Sequence, residues 1–261
     1  MGDRFSGKVV WVTGASSGIG EALARRFSDE GASVVLSARR ADALAGIASG
    51  LRSETLVLPL DICKPVVEAA ETALAWKGRI DILVHNAGVT QRSKIADTSM
   101  DTARRLMEVN FWGAVELTHC VLPAMIARGQ GHIVAVGSVA GYVSTPERAF
   151  YSAAKHALRS YCDTLRAETV SAGIDVTYIS PGYIKTGISE RGLVGDGSAT
   201  GRIGDGDEKG MSVDSAAERM MDAIAKRRRE VSVGGPEVHA ILLQRWFPGL
   251  VARWLPRAAP K

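Results

Sequence analysis

The chain has little from which to build a metal centre or a disulfide framework. Its three cysteines, Cys63, Cys120 and Cys162, are odd in number, far apart and without metal-ligand spacing. Simple packing roles in a reducing compartment fit them best. The five histidines form no H-x-x-x-H or similar cluster, so no metal site is expected. Internal repeats are absent, and no composition break marks a second domain. The N-terminal residues carry no apolar run of signal-peptide length, so no leader is expected there. The only dense basic run, Lys226 to Arg229, falls at the end of an expected helix, where cations favour the macrodipole. Nucleic-acid binding is therefore not expected.

What is present is ordinary for a soluble globular protein: 46% hydrophobic residues, 23% charged and a net charge of +4 over 261 residues. That length suits one large domain. Short β-branched runs alternate with helical stretches from start to finish. Strands are expected at 9–12, 34–36, 55–60, 82–85, 133–136, 176–179 and 231–233, and helices at roughly 18–30, 40–52, 65–76, 101–128, 149–172 and 213–228. Strands without polar alternation are covered on both faces, which implies a parallel sheet between helix layers. Repeated strand–helix units give a Rossmann-like, doubly wound α/β fold with seven strands. A catalytic domain is expected over 1–237.

Two segments depart from that rhythm. Within 187–210, eight of 24 residues are glycine and no apolar period is visible. Such a stretch is a lid over a pocket, here extended to 187–212, or it is disordered. The extension 238–261 is rich in Leu, Ile, Trp and Phe but is interrupted by Arg245, Pro248 and Arg253. It is a poor membrane span. Peripheral contact with a membrane surface, or docking on a second subunit or the domain's own core, are the open readings. A cytoplasmic location is expected.

The chemistry-bearing residues lie at strand ends. The first expected strand runs into Thr13-Gly14-Ala15-Ser16-Ser17-Gly18-Ile19-Gly20 and then a helix. Glycines there permit a tight turn that lets a helix N-terminus receive a pyrophosphate, although such a turn can also be merely structural. An NAD-preferring site places a carboxylate at the end of the second strand. This chain has Ala38 there, followed by Arg39 and Arg40. Guanidinium groups match phosphate oxygens in a bidentate way, which argues for NADP(H). Gly14, Arg39, Asp61, Asn86, Ser138 and the pair Pro181-Gly182 each fall just past a strand end, on the edge where open α/β sheets bind ligands. Asp61 with Ile62, and the turn Asn86-Ala87-Gly88, would line the adenine and ribose side.

Tyr151 and Lys155 are four residues apart, so a helix brings them to one face. A nearby ammonium favours the phenolate, and a phenol tuned in this way exchanges a proton with a carbonyl or alcohol near neutral pH. Alone, such a pair is more often two solvated neighbours.

Taken together, in order and at matching spacing, these pieces resemble the short-chain dehydrogenase/reductase superfamily in its single-domain branch. The matching residues are the 13–20 loop, Asn86-Ala87-Gly88, Asn110, Ser138, Tyr151-x-x-x-Lys155 and Pro181-Gly182-x-x-x-Thr186. Within the superfamily the chain is most similar to the member-7 dehydrogenase/reductases and, less closely, to the 11β-hydroxysteroid dehydrogenases. The resemblance implies Tyr151 as general acid/base, with Lys155 lowering its pKa and holding the nicotinamide ribose. Ser138 would donate to the substrate oxygen, and Asn110 would hold a water that relays protons from Lys155. Thr186 and the backbone of Ile184 would hold the nicotinamide carboxamide. Tyr183 and Phe150 would shape the substrate wall. A carbonyl/alcohol substrate of fairly apolar, lipid- or steroid-like character follows, as does a homodimer or homotetramer. Trp112, His119 and His156 would then lie at an interface; His85 is given no role. The alternative to an enzyme is a non-catalytic NADP(H)-binding sensor or scaffold.

Overall fold

A computed structural model of the chain describes residues 3–204 and 208–257. The strands are β1 (Val9–Thr13), β2 (Ser33–Ser37), β3 (Thr55–Val57), β4 (Ile82–His85), β5 (Gly131–Val136), β6 (Ile174–Pro181) and β7 (Glu230–Val233). Between and after them run α1 (Gly18–Asp29), α2 (Ala41–Ala48), α3 (Val67–Lys77), α4 (Met100–Met107), α5 (Gly113–Ala127), α6 (Ala149–Thr169), α7 (Val213–Ala225), α8 (Ala240–Trp246) and α9 (Pro248–Trp254). All seven strands join one parallel sheet in the order β3-β2-β1-β4-β5-β6-β7. The winding direction reverses between β1 and β4, which opens a crevice beyond their carboxyl ends.

The period of two in β1 shows why the sheet is sandwiched. Val10 and Val12 face a core that includes Leu23, Phe27, Leu44, Met220 and Ile224, from α1, α2 and α7. Val9 and Trp11 face the opposite core with Ala73, Leu117, Val121, Leu158 and Leu165, from α3, α5 and α6. Successive side chains alternate sides, and both sides are apolar, so the strand reads as a continuous hydrophobic run. The one polar atom of Trp11, its indole N–H, donates to Ser37 Oγ at 2.8 Å.

Three elements differ from the sequence-based expectation. The strand expected over 55–60 is regular only to Val57. Leu58 N and Leu60 N still donate to Leu36 O and Ala38 O, both at 3.0 Å. Pro59 stands between them on an edge strand, where a missing N–H is tolerated.

The single helix expected over 101–128 is broken by a π turn, Glu108–Trp112. Asn110 Nδ2 donates to Leu106 O at 2.9 Å, taking the carbonyl of the residue four back. A side chain inserted into the ladder in this way widens the turn.

The glycine-rich segment is irregular but pinned. Leu193 N donates to Thr90 O (2.9 Å), Arg92 N to Leu193 O (2.8 Å), and Ser99 N to Gly195 O (2.9 Å). Gly187, Gly197 and Gly201 supply the positive-φ turns that fold it back on itself. Residues 205–207 of the expected lid lie outside the described residues.

The last helices, α8 and α9, meet at Phe247–Pro248. They leave Leu242, Trp246, Phe247, Leu250 and Trp254 exposed.

Candidate active site

The crevice at the β1/β4 switch point is a cleft of about 750 Å³. Its lining brings together Gly14, Ser16, Ser17, Gly18, Ile19, Arg39, Arg40, Asp61, Ile62, Asn86, Ala87, Gly88 and Thr186. These residues were separately expected to hold one ligand.

Close packing explains the glycines. A Cβ on Gly20 would lie 2.3 Å from Gly14 O and 2.4 Å from Asn86 Nδ2. Gly14 has φ 64°, and a Cβ there would meet Ala87 Cα at 2.8 Å. Asn86 holds the loop by donating from Nδ2 to Thr13 O (3.0 Å) and Gly14 O (3.2 Å). Thr13 Oγ1 in turn accepts from Asn86 N (3.0 Å) and Ala87 N (3.2 Å). The ends of β1 and β4 are thus cross-linked beside the N-terminus of α1, a cradle suited to a pyrophosphate. The residues present fit a dinucleotide.

At the far wall, Ala38 is followed by the exposed Arg39 and Arg40. Arg40 Nη2 donates to Ser16 O (3.1 Å) and Ser16 Oγ (3.3 Å), so it braces the glycine loop as well as facing the cleft. Asp61 is partly turned inward, its Oδ1 accepting from Cys63 N at 3.2 Å.

The opposite end is buried. Tyr151 and Lys155 are 7% and 4% exposed, and neither they nor Ser138 belong to the cleft lining. Gly88 connects the two regions: a Cβ there would lie 3.0 Å from Asn110 Oδ1 and 3.6 Å from Lys155 Nζ. Asn110 Nδ2 also donates to Val89 O (2.9 Å), and its Oδ1 accepts from Val89 N (3.2 Å). Lys155 Nζ donates to Val136 O at 3.1 Å and lies 5.9 Å from the centre of the Tyr151 ring.

The electrostatics differ from the simple pairing suggested by spacing. Burial pushes the Tyr151 phenol above its ordinary pKa; the hydrogen bond with Ser138 and the charge of Arg148 act in the opposite direction. Burial also lowers Lys155, to about 8. In this geometry Ser138 and Arg148 are the groups that favour the phenolate. Arg148 was not singled out from the sequence, and only its place before α6 brings it near Tyr151.

Pro181, Gly182 and Ile184 do not line the cleft. Gly182 is packed against Glu237, whose Oε1 accepts from Tyr183 N (2.8 Å) and Gly235 N (2.9 Å). Ile184 is buried and bridges to Met211. Thr186 approaches Gly18: a Cβ on Gly18 would lie 3.1 Å from Thr186 Cβ. Tyr183 is 45% exposed.

Ile188, Arg191 and Leu193 of the glycine-rich segment, and Arg105, Glu108 and Val109 of the broken helix, line the cleft without having been marked by any sequence motif. Trp112 and His119 are exposed, and His156 Nδ1 lies 2.9 Å from Ser152 O. His85 Nε2 pairs with Thr118 Oγ1 at 2.8 Å, a packing role. Among the described residues, no group of three or more His, Cys, Asp or Glu is placed to hold a metal ion.

A crossover cleft with a glycine-rich cradle, and a buried lysine and asparagine beneath Gly88 at its edge, has the form of a nucleotide-binding site of the Rossmann type. Residues 8–192 match the short chain dehydrogenase family, and the chain belongs to it. It is 40% identical over 258 residues to a "Dehydrogenase/reductase SDR family protein 7-like" of Drosophila melanogaster, covering 95% of this chain and 79% of that one. Solved short-chain dehydrogenases share the fold. One from Burkholderia phymatum in complex with NAD superposes with a TM-score of 0.83 at 27% identity, covering 95% of this chain and 96% of that one. One from Sphingobium yanoikuyae in complex with NADPH gives 0.76 at 28%, covering 94% and 93%. The chain is an oxidoreductase of this family, which binds a nicotinamide cofactor.

Proposed function

We propose that the chain interconverts a fairly apolar ketone or aldehyde and the corresponding alcohol, using NADP(H). The observation that supports it is a linked buried set, Asn110 and Lys155 beside Gly88, Lys155 beside the Tyr151 ring and Tyr151 paired with Ser138, next to a cleft whose far wall presents Arg39 and Arg40 and no carboxylate at position 38. The bound cofactor supplies or accepts the hydride.

The protein's own groups manage the oxygen and its proton. Ser138 Oγ donates to the substrate oxygen and stabilises charge developing there. Burial keeps the Tyr151 phenol protonated at neutral pH, so it donates its proton to that oxygen in reduction and removes one in oxidation. Lys155, fixed by Val136 O, holds a positive charge behind the phenol below its pKa of about 8. Asn110 widens its turn to stand beside Gly88 and Lys155, where a water held by it would return protons from solvent. Ile188 and Leu193 over the cleft suit an apolar substrate.

A non-catalytic NADP(H) sensor would need a broken set of these residues, and all four are present. The decisive variant is Tyr151→Phe. It should lower turnover by about 10²–10⁴-fold while leaving NADPH binding, read by nicotinamide fluorescence, unchanged. Wild-type turnover in that variant removes the proposed acid.

The C-terminal hairpin is read as a foot on an anionic lipid surface. Its exposed Leu242, Trp246, Phe247, Leu250 and Trp254 are interleaved with Arg245 and Arg253, and no acidic residue occurs in 238–261. Aromatic and cationic side chains on a short amphipathic element favour that boundary.

A further inference from the structure

Tyr151 is the third residue of α6, and the residue before the helix, Arg148, gives no side-chain cap. The first N–H groups of a helix have no acceptor within it, and buried ones need a partner from elsewhere. Here the partner comes from a distant segment. Gln91 Oε1 accepts from Phe150 N at 2.9 Å and from Tyr151 N at 3.2 Å.

Gln91 is completely buried, and the other half of its carboxamide is anchored as well. Nε2 donates toward Ser93 O (3.3 Å), Ser93 Oγ (3.2 Å) and Thr98 Oγ1 (3.2 Å). The network settles the orientation: a reversed amide would set donors against the two helix N–H groups.

The main chain around Gln91 carries a second connection. Leu193 N donates to Thr90 O and Arg92 N donates to Leu193 O, at 2.9 and 2.8 Å, making a parallel bridge between Gln91 and Leu193. Leu193 belongs to the segment that covers the cleft, and it lines the cleft itself. One residue therefore touches both the cover and the backbone nitrogen of Tyr151. Glutamine is the side chain that can do this. A shorter amide falls short, and an apolar one leaves two buried N–H groups orphaned. A carboxylate keeps the acceptor but loses the donor to Ser93 and Thr98.

We infer that Gln91 is a positioning residue for the proton donor. It couples the seating of the 187–204 cover to the placement of the Tyr151 phenol beside Ser138. This rests on the proposed role of Tyr151, so the test has a readout that does not depend on turnover.

The full-length protein with NADPH added is compared as wild type, Gln91→Met, Gln91→Glu and the milder double variant Ser93→Ala with Thr98→Val. Hydrogen–deuterium exchange is followed in peptides spanning 147–152 and 187–195, and kcat and KM are measured with phenanthrenequinone as probe carbonyl. In Gln91→Met, exchange in both peptides should quicken by about tenfold, and kcat should fall by about tenfold with KM for NADPH held within about twofold, as expected from losing a buried cap. Gln91→Glu, which keeps the acceptor, should restore protection of 147–152 and most of kcat. The double variant should show the same split at smaller amplitude, and it decides the matter if Gln91→Met does not fold.

Unchanged exchange in both peptides overturns the inference, as does a fall in kcat accompanied by an equal loss of NADPH affinity. Tyr151→Phe run alongside separates the two ideas. If that variant turns over normally the proposed acid is wrong, while the exchange result still judges the coupling.

Discussion

Arg39 and Arg40 are adjacent in sequence, yet the structure gives them different work, and their separate removal should show it. Both face the cleft beyond Ala38. Arg40 already commits Nη2 to Ser16 O and Ser16 Oγ, and so supports the glycine loop that any dinucleotide needs. Among the described residues, no hydrogen bond from Arg39 accompanies its place on the wall.

A charge-assisted hydrogen bond contributes about 1.5–3 kcal/mol when well formed. Arg39 is solvent-exposed, so screening brings the expected value to about 1–2 kcal/mol. That corresponds to about a 5- to 30-fold weakening of NADPH binding in Arg39→Ala. NADH lacks the 2′-phosphate, and its affinity should stay within about twofold. Arg40→Ala should weaken both cofactors, because it also unties Ser16. Ala38→Asp should repel NADPH and improve NADH. The assay is titration of each variant with NADPH and NADH by nicotinamide fluorescence, with KM measured for both. Equal losses for the two cofactors in Arg39→Ala would refute the reasoning, because the guanidinium would then not be reading the phosphate.

Three further predictions follow from buried or exposed groups. The phenol of Tyr151 is raised by burial and remains protonated through neutral pH, whereas Lys155 loses its charge near pH 8. The kcat/KM for carbonyl reduction should therefore be level below pH 8 and decline above it, and a profile still rising at pH 9 would contradict that assignment. His85 and His132 are buried and neutral, lowered to about 3 and about 4. As pH falls below about 6.5 the unfolded chain takes up protons that the native one refuses. Stability should then drop by about 1.4 kcal/mol per pH unit for each histidine. Urea melts at pH 7.5, 6 and 5 should show that slope, and His132→Gln should remove about half of it; an unaltered slope would exclude its share. Full-length protein should co-sediment with anionic vesicles and be released by salt, whereas a chain ending at residue 237 should not bind; identical behaviour would rule the hairpin out as a lipid contact.

How far the sequence could be read depended on whether a feature was local. The continuous hydrophobic run of β1, the Gly14–Gly20 turn and the Tyr151–Lys155 spacing are dictated by a few neighbouring residues, so they showed through. Pro59 on an edge strand blurred the end of β3 because the ladder continued around it. The π turn at Asn110 escaped the helical period because a side chain, not a helix breaker, widened it. The glycine-rich segment read as structureless because its bonds run to Thr90, Arg92 and Ser99, more than ninety residues earlier.

The sequence alone therefore determined the doubly wound sheet, the glycine-rich turn after β1 and the i, i+4 placement of Tyr151 and Lys155 on one helix face. The sheet and the turn come from short-range backbone preference and hydrophobic periodicity, and the pairing of Tyr151 with Lys155 from helical spacing; the roles of Ser138 and Asn110 came from resemblance to a family. Tertiary structure alone decided the environment of those groups: a phenol raised by burial, a lysine lowered by it, and a glutamine from a distant loop capping the start of α6. Burial and long-range hydrogen bonding depend on what lies across the fold, and no local spacing in the chain records that.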